Sequence, residues 1–269
     1  NETTSFKISK ETGIDDYIGW WECIKSSDMD GDGDMDFVAG NLGSNNFFQP
    51  SKERPVHMVG KDFDKNGSQD PICFVYIKDD RGTYRPYPFN YWGDLNLQSP
   101  LFRKKFDYFK EYAEATFSTL FSEEEIKNAL ILEGNFDKSA YLENLGNGKF
   151  NLHPLPTAAQ LAPLNDILLC DMDGDGHKDI IGIGNDFGNE TFIGRYDALN
   201  GILLKGNGQG GFIREKTSAS GFLVPGDAKS IVRVNHAVGG YLFFVTQNKD
   251  KLLVFKDKTN STNGVNITF

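Results

Sequence analysis

Most features that mark a functional class are scarce in this sequence. No apolar run approaches the roughly 18 residues a helix needs to cross a bilayer, which argues against insertion into a membrane. Lysine and arginine total 28 against 38 aspartates and glutamates, a net charge of −10, and they form no basic cluster. That balance argues against nucleic acid and anionic membrane surfaces as partners. The three cysteines, Cys23, Cys73 and Cys170, have no metal-like spacing and lie in apolar stretches beside acidic loops. They read as buried free thiols, although in an oxidising compartment one pair could join. There are four histidines: His57 and His236 next to strand-like runs, His153 before Pro154, and His177 inside an acidic loop. A Gly-x-Ser-x-Gly elbow, a His-Glu-x-x-His pair and a Walker-type phosphate-binding loop are all absent, so no familiar catalytic constellation is legible. Spacing in sequence does not exclude a triad assembled in space.

What the sequence does have is one nine-residue stretch written three times. It occurs as Asp28-Met29-Asp30-Gly31-Asp32-Gly33-Asp34-Met35-Asp36 and as Asp62-Phe63-Asp64-Lys65-Asn66-Gly67-Ser68-Gln69-Asp70. It returns as Asp171-Met172-Asp173-Gly174-Asp175-Gly176-His177-Lys178-Asp179. Positions 1, 3, 5 and 9 carry side-chain oxygens, and position 6 is glycine. Carboxylates packed this closely repel unless a cation sits among them. Hard oxygen ligands at alternating positions suit Ca²⁺, and the glycine permits a sharp turn. About three calcium sites are therefore expected.

An EF-hand is the obvious reading, and it fails. It requires a bidentate glutamate at position 12 and flanking helices. Position 12 here is Ala39, Cys73 and Gly182. The loops are followed by Phe37-Val38-Ala39, Ile72-Cys73-Phe74-Val75-Tyr76 and Ile180-Ile181-Gly182-Ile183, short apolar runs that read as buried strands. Trp20-Trp21-Glu22-Cys23-Ile24 and Asp166-Ile167-Leu168-Leu169-Cys170 precede two of them in the same style. Each loop is thus a strand-to-strand turn.

With that arrangement the sequence resembles the FG-GAP, or VCBS-type, repeats of integrin-α-like β-propellers. The resemblance implies side-chain ligation by Asp28, Asp30, Asp32 and Asp36, by Asp62, Asp64, Asn66 and Asp70, and by Asp171, Asp173, Asp175 and Asp179. It implies that Asp34, Ser68 and His177 lend only their carbonyls. Phe37-Val38-Ala39-Gly40 echoes the family's Phe-Gly…Gly-Ala-Pro signature only in part, since no Gly-Ala-Pro follows. The likeness is specific in the loops and diffuse elsewhere, covering most of the chain outside about residues 91–128.

The length of 269 residues suffices for one large domain with a substantial core. Its 29 glycines and 22 phenylalanines fit many short strands joined by tight turns. A second punctuation mark, an Asn/Gly cluster followed by an aromatic, recurs at 41–47, 144–150 and 205–212 and reads as a hairpin turn. Segments 129–137 and 230–245 read as repeats whose acidic loop has decayed. Together these give an all-β chain with about five blade-like units, beginning near residues 17, 56, 128, 165 and 229. Five units either close as a ring, with Phe6-Lys7-Ile8 or a C-terminal strand completing a blade, or belong to a longer propeller. The chain opens in mid-pattern at Asn1, without an initiating methionine, which favours a trimmed fragment and the longer propeller with other blades as partners.

Residues 91–128 break the pattern and read as a small helical insertion. Ser99-Pro100 is an N-cap with a first-turn proline, and Leu101, Phe102, Phe106, Phe109, Tyr112 and Ala113 follow at helical spacing. Ser122-Glu123-Glu124-Glu125 is a capping box. Two stretches are candidate ligand surfaces. The aromatic and proline-rich segment 84–94 offers Tyr87, Asn90, Trp92 and Asp94, which could stack on sugars or anchor a protein, or simply pack the insertion. The long excursion 185–197 offers Arg195, Tyr196 and Asp197. Two functions follow. One is a non-catalytic, calcium-stabilised module that binds a glycan or a protein. The other is a calcium-dependent polysaccharide lyase or hydrolase, for which Arg195-Tyr196 is the place to look for a base. Cytosolic calcium is too scarce to fill loops of modest affinity, so an extracellular, cell-surface or periplasmic setting is expected.

Overall fold

The three acidic loops are the turns of three antiparallel hairpins. In each, the residue before position 1 pairs with position 9: Ser27 with Asp36, Lys61 with Asp70, and Cys170 with Asp179. The computed structural model describes residues 5–237 and 239–257. It is mostly β, with four antiparallel sheets and a few short helices.

In chain order the strands begin with β1 (Cys23–Ser27), β2 (Asp36–Gly40), β3 (Val56–Lys61), β4 (Asp70–Lys78) and β5 (Tyr84–Pro88). Five short helices follow: α1 (Trp92–Gln98), α2 (Pro100–Arg103), α3 (Phe109–Ala113), α4 (Phe117–Leu120) and α5 (Glu123–Ile126). Strands β6 (Leu130–Gly134), β7 (Ala140–Asn144), β8 (Phe150–Pro154), β9 (Leu164–Cys170), β10 (Asp179–Gly184), β11 (Ile202–Gly206) and β12 (Phe212–Arg214) come next. The one-turn helix α6 (Thr217–Ser220) precedes β13 (Ala228–Asn235), β14 (Tyr241–Gln247) and β15 (Leu253–Lys256).

The chain divides into two units, one made of the described residues up to Phe47 and from Asp137 onward, the other of residues 48–136. The first unit holds three sheets, ordered β1-β2-β7-β8, β9-β10-β11-β12 and β13-β14-β15. Strand β10 is buried along its whole length. Its side chains alternate between two cores. Ile180 packs with Val38, Leu164 and Leu204, while Ile181 and Ile183 pack with Leu203, Phe243 and Phe255. A strand covered on both faces needs the continuous apolar run seen in the sequence. The first strands of the three sheets lie side by side, with β9 between β1 and β13. Asp166 on β9 ties them together. Its carboxylate meets Lys25 Nζ of β1 at 2.9 Å and accepts from Ile231 N and Ser230 Oγ of β13 at 2.9 and 3.1 Å.

The second unit is one sheet, ordered β5-β4-β3-β6, with the helices packed on it. Its core is aromatic: Phe74, Phe102 and Phe121 are buried with Val59, Ile72 and Leu95. The helical face foreseen from Leu101 to Ala113 is interrupted. Helix α2 stops at Arg103, and the Glu111 carboxylate accepts the Asp107 and Tyr108 amides, capping a new helix. Phe109 is consequently exposed instead of lying on a continuous buried stripe.

The described residues form four sheets where the repeats suggested five units, and none of the four closes on itself. The unit expected from residue 128 is shared out. Strand β6 pairs with β3, and β7 pairs with β2. The physical reason is non-local pairing: residues 48–136 are inserted between two neighbouring strands of one sheet, which separates them by about a hundred positions of sequence. The Asn/Gly clusters at 144–150 and 205–212 are hairpin turns between β7 and β8 and between β11 and β12. The cluster at 41–47 is not; it follows β2 as a loop.

Candidate metal centres

A loop of nine residues that must reverse the chain has little freedom, and these three share several anchoring bonds and backbone positions. Position 2 is an apolar anchor. Met29 and Met172 are buried in the two cores of the first unit, and Phe63 stacks on Phe121 at 4.8 Å in the second. The position 9 carboxylate is buried and accepts the position 2 amide: Met29 N to Asp36 at 3.0 Å, Phe63 N to Asp70 at 3.0 Å, Met172 N to Asp179 at 2.8 Å. The position 5 side chain accepts the position 7 amide, Asp34 N to Asp32, Ser68 N to Asn66 and His177 N to Asp175, at 2.7–2.9 Å. Those bonds involve the amides of Asp34, Ser68 and His177, which leaves their carbonyl oxygens for other partners. The turn needs left-handed backbone at position 6, where Gly33, Gly67 and Gly176 have φ of 95°, 91° and 91°. Position 4 needs it as well: Gly31 and Gly174 sit at 83° and 82°, and Lys65 at 61°.

Carboxylate oxygens of Asp28, Asp30 and Asp32, of Asp62, Asp64 and Asp70, and of Asp171, Asp173 and Asp179 lie within 4.8 Å of one another in each loop. Two oxygens on one Ca²⁺ at about 2.3–2.6 Å can be at most about 5 Å apart, so each cluster fits a single coordination sphere. Asp30, Asp70 and Asp179 are each pushed above the ordinary carboxylate range, by burial first and then by neighbouring carboxylates. The all-oxygen donor set would suit a hard divalent cation, which would relieve that repulsion.

Outside the ring of donors the loops differ. In the first, Tyr141 of β7 is buried, and its hydroxyl makes no full hydrogen bond. Burial, and then the charges of Asp36 and Asp30, raise its phenol well above the usual range, which places it beside the acidic cluster. In the second, Ser99 Oγ donates to Asp64 Oδ2 at 3.1 Å. In the third, Lys205 Nζ lies 3.1 Å from Asp173 Oδ2 and 3.2 Å from Glu215. None of these three partners is signalled by the loop motif itself.

The two ligand surfaces read from the sequence are dispersed. Trp92 is buried against Phe106, Phe109 and Tyr112. Asn90 is occupied, its Oδ1 accepting Cys73 N and its carbonyl accepting the Tyr112 hydroxyl. Asp94 is exposed in the first turn of α1, while Tyr87 lines a cleft that Asp94 does not border. In the excursion after β10, Asp186 and Tyr196 bridge by backbone bonds of 2.9 Å, and the Arg195 guanidinium covers Phe187 at 4.9 Å. The Tyr196 hydroxyl is buried without a partner and its ring packs on the core, with its phenol raised by burial and by Asp186. A phenol held protonated there is poorly placed as a base for a bound polymer. Asp197 is exposed.

Two residues have a role that the sequence reading did not foresee, although it placed one in a turn and the other in a ligand surface. Asn41 and Asn185, both fully buried, follow the glycine that ends the second strand of a sheet. Asn185 donates to Leu199 O and Gly226 O and accepts Leu199 N. Asn41 accepts Trp20 N and Leu42 N, and its carbonyl takes Leu164 N. A Cβ at Gly40 or Gly184 would collide with the Leu164 or Pro163 carbonyl. The repeated Gly-Asn pair was the available signal.

No protein-family model matches the sequence, and no curated protein matches it.

Proposed function

We propose that this chain is a calcium-held module of a β-propeller related to the FG-GAP and VCBS-type repeat proteins. On this reading it works outside the cytosol and binds a glycan or a protein without catalysing a reaction. The observation that carries it is the equivalence of the three loops. Each is a hairpin turn in the same register, with the same position 9 to position 2 bond and a cluster of three carboxylates. The side-by-side first strands of three antiparallel sheets support the propeller part, since successive blades present their inner strands in this way. No helix among the described residues is long and apolar enough to cross a membrane.

Calcium's role in this reading is structural: it joins two strands that carboxylate repulsion would otherwise splay. Thermal unfolding in calcium and in chelator tests it, on the wild type and on Asp30→Ala, Asp64→Ala and Asp173→Ala. Each variant should melt lower than the wild type in calcium and about equally in chelator. Equal losses in both conditions would overturn the calcium assignment. Affinity electrophoresis on a polysaccharide panel, with the products analysed, then addresses the partner. Calcium-dependent retardation without cleavage fits a glycan-binding module, and cleavage would replace it with a carbohydrate-active enzyme.

A further inference from the structure

In the second unit the β4–β5 hairpin and helix α3 face each other across a cleft of about 660 Å³, within the range of about 300–1,000 Å³ usual for small-ligand sites. Arg85 and Tyr87 stand on its β wall, with Tyr112 and Glu114 opposite. Two residues apart on one strand, Arg85 and Tyr87 project from the same face of the sheet.

The cleft is built, not merely left open. Arg85 Nε donates to Asp79 Oδ2 at 3.1 Å. Asp79 is itself pinned, accepting the Arg81 and Thr83 amides at 3.0 and 2.8 Å. Those amides, with the Arg85 charge, hold its carboxyl below the ordinary range, so the anchor stays ionised. Arg85 is therefore held through Nε, and its terminal Nη groups have no partner among the described residues. The opposite wall is fixed by the Tyr112 hydroxyl, which donates to the Asn90 carbonyl just past the end of β5. Preorganised donors of this kind lose little freedom on binding.

The charge pattern narrows the ligand. Lys78, Arg81, Asp80 and Glu114 also border the cleft and make no ion pair among the described residues. Two cations and two anions around a guanidinium already balanced by Asp79 sum to no net charge that would select an ionic ligand. They do give donors and acceptors together, which is what adjacent sugar hydroxyls require. The half-buried Tyr87 adds an aromatic surface. We infer that this cleft is a carbohydrate subsite for a pyranose of a neutral glycan, with Arg85 donating to adjacent hydroxyls and Tyr87 packing against the ring's apolar face. This rests on the glycan form of the reading above and assigns it a place.

The test is affinity electrophoresis of the full chain in calcium, on laminarin, xylan, pullulan and the uronate polymer hyaluronan. The wild type is run beside Tyr87→Ala, Arg85→Met and Arg85→Lys. At least one neutral polymer should retard the wild type. Tyr87→Ala and Arg85→Met should weaken apparent affinity tenfold or more, and Arg85→Lys should recover little because it keeps the charge but not the fork. An unchanged calcium-induced melting shift shows that a variant is folded; if Tyr87→Ala fails that check, the exposed Arg85 carries the test. Retardation unaffected by Tyr87→Ala and Arg85→Met would overturn this cleft and leave glycan binding standing elsewhere. Retardation by hyaluronan alone would overturn the ligand class. No retardation by any polymer would overturn the inference, while the calcium assignment would still stand or fall on its melting shift.

Discussion

The loops at 28–36 and 171–179 belong to the first unit and the loop at 62–70 to the second, and the same nine-residue pattern is held in two different ways. In the first unit the third strand of the sheet reaches the loop. Asp36 Oδ1 accepts Asn144 N at 2.8 Å, and Asp179 Oδ1 accepts Gly206 N at 3.0 Å. Each position 9 carboxylate is thus clamped from both sides. In the second unit β5 pairs with β4 only from Phe74 to Lys78, well short of Asp70. The loop leans instead on helices, through Phe63 on Phe121 and Ser99 on Asp64. The difference teaches that positions 2 and 9 suffice to seat this turn on a sheet, while the second clamp depends on what the neighbouring strand does.

The largest effect that would sharpen this contrast is expected at the end of the second strand. Asn185→Ala removes three short hydrogen bonds from a fully buried site. At about 1–3 kcal/mol for each buried group left unpaired, with partial relaxation, a loss of about 4 kcal/mol is expected. Asn90→Ala, which in the second unit frees the Cys73 amide, should cost about 1 kcal/mol. Urea unfolding separates the two, because Trp20 and Trp21 report the first unit and Trp92 the second. Similar losses at both asparagines would erase the distinction.

Next comes position 9 itself. In chelator, Asp179→Ala should destabilise the first unit by about 3 kcal/mol, since two amides lose their acceptor, and Asp70→Ala the second by about half of that. Relief of carboxylate repulsion lowers both figures equally, so the ratio is the informative quantity. A ratio near one would mean that the third-strand amide adds nothing.

How much of this was legible beforehand follows from which physics was local. The loops could be read, along with the strands beside them, because their chemistry is written in nine consecutive residues. The N-cap at Ser99 and the capping box at Ser122 could be read for the same reason. Asp166 could not. It stands in an apolar strand with nothing nearby to pair it, and its partners Lys25 and Ile231 are supplied by other sheets. Tyr141 is similar: an unremarkable strand tyrosine until β7 is placed beside β2. For Trp92 and Asn90 a ligand surface and packing of the insertion both stayed open, because an aromatic, proline-rich segment has no periodicity to show which side is covered.

Asp166 gives a pH test confined to the first unit. Its burial opposes ionisation, but the Ile231 amide, Lys25 and the Ile167 amide outweigh it and hold the carboxyl below the ordinary value. A depressed folded-state pKa means that the stabilisation is present above the unfolded value, about 4, and is lost as pH falls through the lower folded one. At pH 7 the first-unit transition of Asp166→Asn should lie about 2 kcal/mol below wild type, the scale of charge-assisted hydrogen bonds. That gap should narrow as pH drops below about 4. A gap independent of pH would show that shape, not charge, makes the tie between the three sheets.

The smallest effect concerns the one place where the second loop departs from the backbone recipe of the others. Position 4 requires left-handed backbone in all three loops, and Lys65 adopts it at φ 61° where Gly31 and Gly174 do so freely. An L-residue there costs roughly 1–2 kcal/mol, while glycine gives back roughly half of that through a freer unfolded chain. Lys65→Gly should therefore stabilise the second unit by only about 0.5 kcal/mol in chelator. It also removes a positive charge from a loop that already has one carboxylate fewer, Asn66 standing where the others have aspartate. On the calcium reading proposed above, affinity at that loop should rise a fewfold at low salt and less at 0.15 M, where the Debye length is about 8 Å. Calorimetric titration of Lys65→Gly in a background of Asp30→Ala and Asp173→Ala isolates the second loop. A rise would trace its expected weakness partly to Lys65, and no change would leave Asn66 and the missing third-strand clamp as the difference between the two settings.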